Sequence, residues 1–380
     1  MKKLKIGIVC YPSVGGSGII ATELGMFLAE KGHEIHFISS SVPFRLNRRV
    51  PNVYFHQVES NQYSVFQYPP YTLSLASKIA EITKLENLDI IHAHYAVPHA
   101  VCGILAKQMT HNRLKVVTTL HGTDITILGQ DSSLTEVIKF AIEKSDAVTA
   151  VSNSLKYETM EVIHPDRQIQ TIYNFVNPKD FSRSIADLKT ELGIHPKEKI
   201  VLHVSNFRKV KQIDNIVRVF AKSLESVNSK LLLVGDGPEW FAVHKLVDEL
   251  GIQDHVLMLG KQDNLQEIYS IADAFLLLSD KESFGVVLLE AMACGVPCIG
   301  TNTGGIPEVI TNNENGFIVP IHDIDYTSNR LIELLTNDEL HKKFSNNALL
   351  TVHENFLPEK IVQQYEDLYF KVIDQAEEEF

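Results

Sequence analysis

Short apolar runs rich in β-branched residues recur along the chain, and stretches with helical spacing separate them. The runs LKIGIVCY (4–11), EIHFIS (34–39), VYFHQV (53–58), DIIHAHY (89–95), KVVTTL (115–120) and AVTAVS (147–152) read as strands. Residues 19–31, 71–86, 97–110, 133–144 and 153–163 have the spacing of helices. Continuous apolar strands that alternate with helices predict a parallel sheet covered on both faces. The segment IYNFVNPKDF (172–181) breaks the rhythm with clustered Asn, Pro and Asp. A second series follows, with strands predicted at 199–205, 230–236, 255–260, 273–279, 296–301 and 316–320. The pattern therefore predicts two doubly wound α/β domains, joined near 174–195 and facing each other across a cleft. The final segment, LPEKIVQQYEDLYFKVIDQAEEEF, has helical periodicity and a proline near its start.

Composition narrows the class. The chain has 380 residues, 44% hydrophobic and 22% charged, enough for two sizeable cores. Its formal net charge of -12 argues against nonspecific nucleic-acid binding and against an anionic membrane surface. The apolar run at the N-terminus is too short for a signal peptide, and no run of 18 apolar residues occurs, so a cytoplasmic location is expected. A homo-oligomer remains open. Cys294 and Cys298 have three residues between them and no second pair follows, so no metal site is expected there.

Ligands of open parallel sheets bind beyond the carboxyl ends of the strands, so residues that follow strands carry the interest. After the first strand, residues 16–21 read Gly-Ser-Gly-Ile-Ile-Ala. A glycine turn at a helix start offers free N–H groups to an anion, although a plain tight turn reads the same way. The nicotinamide version also needs an acid after the second strand; here that strand ends in Ser39, Ser40 and Ser41. His92 and His94 share a strand face without an evident third metal ligand, and Tyr95 stands at the strand end. His121, followed by Gly122, sits in a sharp turn that Thr123 and Asp124 could close. In the second series, SNFRKVKQ (205–212) places Arg208, Lys209 and Lys211 after a strand, a setting suited to a diphosphate.

ESFGVVLLE (282–290) frames an apolar run with two carboxylates. Helix onset is expected at Phe284 or Gly285, closed by Gly295 and Pro297. Glu282 and Glu290 then lie about 80° apart around a helix, too far round to form one acid–base pair. They read as two separate hydroxyl acceptors, with the amides of Phe284, Gly285 and Val286 between them. That arrangement suits a sugar nucleotide.

The E-x7-E pattern of 282–290, the glycine loop 15–18, the His-Gly turn and GDGPE (235–239) resemble the retaining GT-B glycosyltransferases of family 4. The resemblance covers essentially the whole chain. It implies an N-terminal acceptor-binding domain over 1–173 that is rejoined by a crossing helix at 359–380, and a nucleotide-sugar domain over 174–358. Within the family, PSVGGSG, PFRL, HAHYAVPHA, TTLHGTDITILG and SNFRKVK are similar to the enzymes that transfer N-acetylglucosamine from UDP-GlcNAc to the hydroxyl of L-malate, the first step of bacillithiol biosynthesis.

By position, the resemblance puts Glu290 on the ribose hydroxyls and Glu282 on the donor sugar, with Lys211 neutralising the leaving diphosphate. The amides of Phe284, Gly285, Val286 and Gly16 would support the sugar and phosphates, and His121 would lie under the donor sugar. Ser17, Tyr95, Thr119 and Arg45 are the acceptor candidates. Asn206 stands where many members carry a second diphosphate arginine, and Arg208 is the candidate replacement. No D-x-D ligand pair stands out, so neither metal nor other cofactor is expected. The alternatives are another family 4 transferase with a different acceptor, a UDP-GlcNAc 2-epimerase, a dehydrogenase, or a sugar-nucleotide sensor without turnover.

Overall fold

A computed structural model describes residues 2–12, 15–47, 49–60, 67–111, 113–184 and 188–377. Ser13 and Val14 of the glycine-loop stretch, and the acidic end 378–380, lie outside the described residues. The chain divides into two compact units: Met1–Asn174 with Pro358–Phe380, and Phe175–Leu357.

The first unit holds seven parallel strands: β1 (Lys5–Val9), β2 (Glu34–Ser39), β3 (Val53–Gln57), β4 (Ile90–His94), β5 (Lys115–Leu120), β6 (Ala147–Ala150) and β7 (Gln170–Thr171). Their order is β3-β2-β1-β4-β5-β6-β7, so the winding reverses between β1 and β4. Both faces of the central strands are covered, which explains why their sequences read as unbroken apolar runs. On one face, Val9, Ile38 and Ile91 pack against Leu75, Ala76 and Ile79 of the helix Tyr71–Glu86. The two-residue β7 was not predicted, because a strand that short shows no periodicity.

The C-terminal helix, Pro358–Glu377, belongs to this first unit, and a buried polar joint holds it there. Glu366 forms an ion pair with Lys31 and accepts from His33 Nε2 at 2.9 Å. His33 Nδ1 accepts from the Leu4 amide at 3.1 Å, so the ring's proton must sit on Nε2, facing Glu366.

The second unit has six parallel strands: β8 (Lys199–Ser205), β9 (Ser229–Gly235), β10 (Val256–Gly260), β11 (Ala274–Leu277), β12 (Cys298–Thr301) and β13 (Gly316–Val319). The order β10-β9-β8-β11-β12-β13 places the reversal between β8 and β11. Its core joins Val201, Leu231, Leu233 and Leu276 to Ile216, Phe220, Leu331 and Phe344 of the flanking helices.

Candidate active site

In the second unit, the predicted residues gather at the carboxyl ends of β8 and β11, the two strands that flank the reversal. β8 runs into the loop that carries Asn206, Arg208 and Lys211, and β11 runs into the loop that carries Glu282. Asn206 and Arg208 are exposed. Lys211 Nζ meets Glu282 Oε2 at 2.5 Å, with both side chains largely shielded. The two loops are tied a second time. Gln212 Nε2 donates to Asp280 Oδ2 at 2.6 Å, and the Asp280 amide donates to the Val210 carbonyl at 2.9 Å. These ties hold the lysine and the glutamate in one place.

The helix that follows begins at Val286, one residue beyond Gly285 and two beyond Phe284, the expected onsets, because Gly285 takes a positive φ of 88° as its cap. The cap residue is a glycine and no side-chain cap bond is seen among the described residues, so the first amides retain their donor capacity at the end where the helix dipole favours anions. Glu290 is 5% exposed and accepts from Tyr269 Oη at 2.9 Å. The framing carboxylates are thus partnered differently, one by an ammonium and the other by a phenol. The Glu282 turn rests on Gly304 and Gly305. The Gly305 amide donates to the Glu282 carbonyl at 2.9 Å, and a Cβ on Gly304 would stand 1.8 Å from that oxygen.

In the first unit, Gly16 opens the helix Gly16–Glu30 directly after β1; it is exposed, and Ser17 is half-buried. Arg45 lies beside that helix, its Nη1 donating to Glu23 at 2.8 Å. Tyr95 directly follows β4 at a φ of 87°, with its ring 5.3 Å from that of His121. The Asp124 carboxylate closes the turn: it accepts from the amides of Gly122 (2.9 Å), His121 (3.3 Å) and Ala96 (3.2 Å). Burial raises this carboxyl to about 6, while those amides pull in the opposite direction. Asp124 therefore staples the β5 turn to the β4 turn.

Thr119 takes an interior position instead of facing outward. It is fully buried, and its Oγ1 contacts His92 Nε2 at 2.7 Å and Thr149 Oγ1 at 2.7 Å. Tyr369 of the C-terminal helix reaches His92 Nδ1 at 2.7 Å. His94 Nδ1 and His121 Nε2 lie 2.8 Å apart. Burial pushes both His92 and His121 down to about 3, so both rings are neutral at ordinary pH. Sequence reasoning singled out His121, Thr119 and Tyr95, but not the tyrosines 246 or more positions away that complete their network.

Among the described residues, Glu34, His36 and Glu86 bring one ligand atom each within 4.8 Å of one another. Glu34 already pairs with Lys5 at 3.0 Å, and His36 with Glu34 and His56 at 3.0 and 2.9 Å. The four cysteines are buried free thiols; burial pushes Cys10 and Cys294 up to about 12, which leaves them unreactive. No helix among the described residues is long and apolar enough to cross a membrane.

Two family models match the chain, "Glycosyltransferase Family 4" over 14–180 and "Glycosyl transferases group 1" over 184–350. The N-acetyl-alpha-D-glucosaminyl L-malate synthase of Bacillus anthracis is 58% identical over 372 residues, spanning 98% of each chain. An uncharacterised glycosyltransferase of Methanocaldococcus jannaschii is 28% identical over 96% of this chain and 98% of its own. Among solved structures, a Rickettsia africae glycosyltransferase superposes with a TM-score of 0.84 at 24% identity, covering 98% of this chain and 99% of its own. Anabaena HepE, solved in complex with UDP-glucose, gives 0.84 at 20% identity, covering 97% of this chain and all of its own. Two parallel-sheet units, the matched models and the likeness along nearly the full length lead to one assignment: this chain belongs to the family 4 glycosyltransferases of the GT-B fold.

Proposed function

We propose that the chain transfers N-acetylglucosamine from UDP-GlcNAc to the hydroxyl of L-malate, with retention at the anomeric carbon, as the first step of bacillithiol biosynthesis. The relative that shares 58% of its residues carries the name of that activity, and this supports the choice of substrates. The observation that carries the donor side is the Lys211–Glu282 pair beside the glycine-capped helix at Val286.

In this reading Glu290, oriented by Tyr269, takes the ribose hydroxyls, and Glu282 takes hydroxyls of the sugar. Lys211 and the amides of Phe284, Gly285 and Val286 receive the diphosphate, with the Gly16 amide and exposed Arg208 as further donors. Asn206 supplies no charge, so Lys211 carries more of the task than in members with an arginine there. The malate oxygen bonds to C1 while the bond from C1 to the UDP oxygen breaks. The hydroxyl proton passes to that departing oxygen, so no protein base is required. Charge develops on the diphosphate, where a fixed ammonium and a helix N-terminus act without reorganising. Neither a metal nor another cofactor enters this scheme.

Ser17 and Tyr95 remain the acceptor-side candidates. Arg45 can meet a malate carboxylate only by sharing or leaving Glu23. Thr119, being interior, acts from behind the site.

The test is product analysis with UDP-GlcNAc in the presence and absence of L-malate. A glucosaminyl-malate mass that appears only with malate supports the proposal. Release of UDP and N-acetylmannosamine without malate would replace it with the epimerase reading.

A further inference from the structure

Burial holds the His94 ring, like that of His121, well below the usual imidazole range, so the contact between His94 Nδ1 and His121 Nε2 at 2.8 Å joins two neutral rings and holds a single proton. Which ring owns it decides what His121 presents outward, and the surroundings of His94 fix the answer. His94 is 1% exposed, and its Nε2 is buried with no hydrogen-bond partner. The neighbouring rings cannot serve it. Both nitrogens of His92 are taken, by Tyr369 and Thr119, although its ring packs 4.3 Å from that of His94. His99 Nδ1 donates to the His94 carbonyl at 2.5 Å, and its own Nε2 is also buried without a partner.

If His121 donated from Nε2, neutral His94 would carry its proton on Nε2, as a buried N–H with nothing to receive it. Buried orphan N–H groups are rarer than under-satisfied acceptors. If His94 donates from Nδ1, its Nε2 is only an unfilled lone pair. His121 Nε2 then accepts, and the His121 proton must sit on Nδ1. That nitrogen makes no hydrogen bond among the described residues, and the His121 side chain is half-buried.

We infer that His94 is a positioning residue that locks His121 into the Nδ1–H tautomer, so that His121 meets its ligand as a neutral hydrogen-bond donor and not as a base. The tautomer assignment stands on the free protein. Its consequence for transfer rests on the proposed glycosyl transfer, in which His121 donates to a hydroxyl of the donor sugar.

The full-length chain, labelled with ¹⁵N-histidine, gives the tautomer of each ring by long-range ¹H–¹⁵N correlation, with His121 assigned from the spectrum of His121→Asn. The expected result is an Nδ1–H ring at neutral pH. His94→Leu should release His121 towards the Nε2–H form usual for free imidazole. His94→Asn, whose amide can occupy the place of Nδ1, should keep the Nδ1–H form. In the transfer assay, His94→Leu should lower kcat about tenfold, the effect of one lost hydrogen bond, with UDP affinity unchanged, and His94→Asn should recover most of that loss. An Nε2–H ring in the wild-type protein overturns the inference. So does an unchanged His121 tautomer in folded His94→Leu; should that variant fail to fold, the wild-type and His94→Asn spectra still decide. An Nδ1–H ring in a protein that does not turn over UDP-GlcNAc would keep the tautomer lock and remove the transferase reading instead.

Discussion

Replacing Lys211 by alanine separates the two roles its ammonium could have. The group lies 2.5 Å from the Glu282 carboxylate, and the two side chains are 18% and 14% exposed. If it serves the leaving diphosphate, it faces a developing charge at about 4 Å, where an effective dielectric near 20 gives roughly 4 kcal/mol. That corresponds to about three orders of magnitude in rate. Water entering the space left by the side chain returns part of it, so kcat should fall about 10²- to 10³-fold. The freed Glu282 carboxylate would add repulsion against the phosphates. The double variant Lys211→Ala with Glu282→Gln removes that repulsion and keeps the polar shape. If Lys211 only neutralises Glu282, the double variant regains wild-type turnover. If it stabilises the leaving group, the loss remains. Steady-state UDP release gives kcat, and thermal melts confirm that each variant is folded. A kcat within threefold of wild type in Lys211→Ala, or full recovery in the double variant, would refute the reasoning.

Other perturbations reach other parts of the site. Tyr269→Phe removes the donor to buried Glu290 and should weaken UDP binding by about 1 kcal/mol in titration calorimetry, with malate KM unchanged. Gly304→Ala sets a methyl 1.8 Å from the Glu282 carbonyl at a φ of +53°. It should reduce kcat by more than tenfold and lower the melting temperature, whereas alanine at Gly193, which has a φ of +67° but where a Cβ meets nothing within 4 Å, should lower the melting temperature and leave kcat intact. His203 is buried, donates from Nδ1 to the Leu276 carbonyl at 2.8 Å, and is pushed down to about 4 by burial. Its folded value lies below its unfolded value near 6.5, so its contribution is complete above that pH and is lost as pH falls towards 4. Denaturant midpoints should therefore drop between pH 6.5 and 4, and His203→Gln should flatten the slope by up to about 1.4 kcal/mol per pH unit.

The parts of the fold legible in the sequence are those that local patterning encodes. Strands such as KVVTTL and KLLLVGD announce themselves because both of their faces are buried, and the glycine punctuation after β1 and before the helix at Val286 marks where backbone must turn. The two-residue β7 carries too little pattern to be seen. At the site, residue types were readable and their partners were not. ESFGVVLLE poses the question of two framed carboxylates, but Lys211 lies 71 positions from Glu282, and Tyr269 lies a helix away from Glu290. A single sequence ranks neither pairing above many others. Asp124 was visible as a turn-closing acid, but not as a staple to Ala96. Thr119 was named as an acceptor candidate through the resemblance, but strand alternation alone does not show that His92 and Thr149 claim it from inside. The network of His92, Thr119, Tyr365 and Tyr369 exists only because a helix 246 or more positions later folds back onto the first unit.

The central claim is a transfer that links this donor machinery to malate, and real-time proton NMR of the purified chain with UDP-GlcNAc and L-malate in excess EDTA tests it most directly. The account predicts that UDP and an α-configured glucosaminyl-malate accumulate in equal amounts, and that neither forms when malate is left out. UDP-GlcNAc that stays intact with malate present, or a product with inverted β configuration, would contradict it.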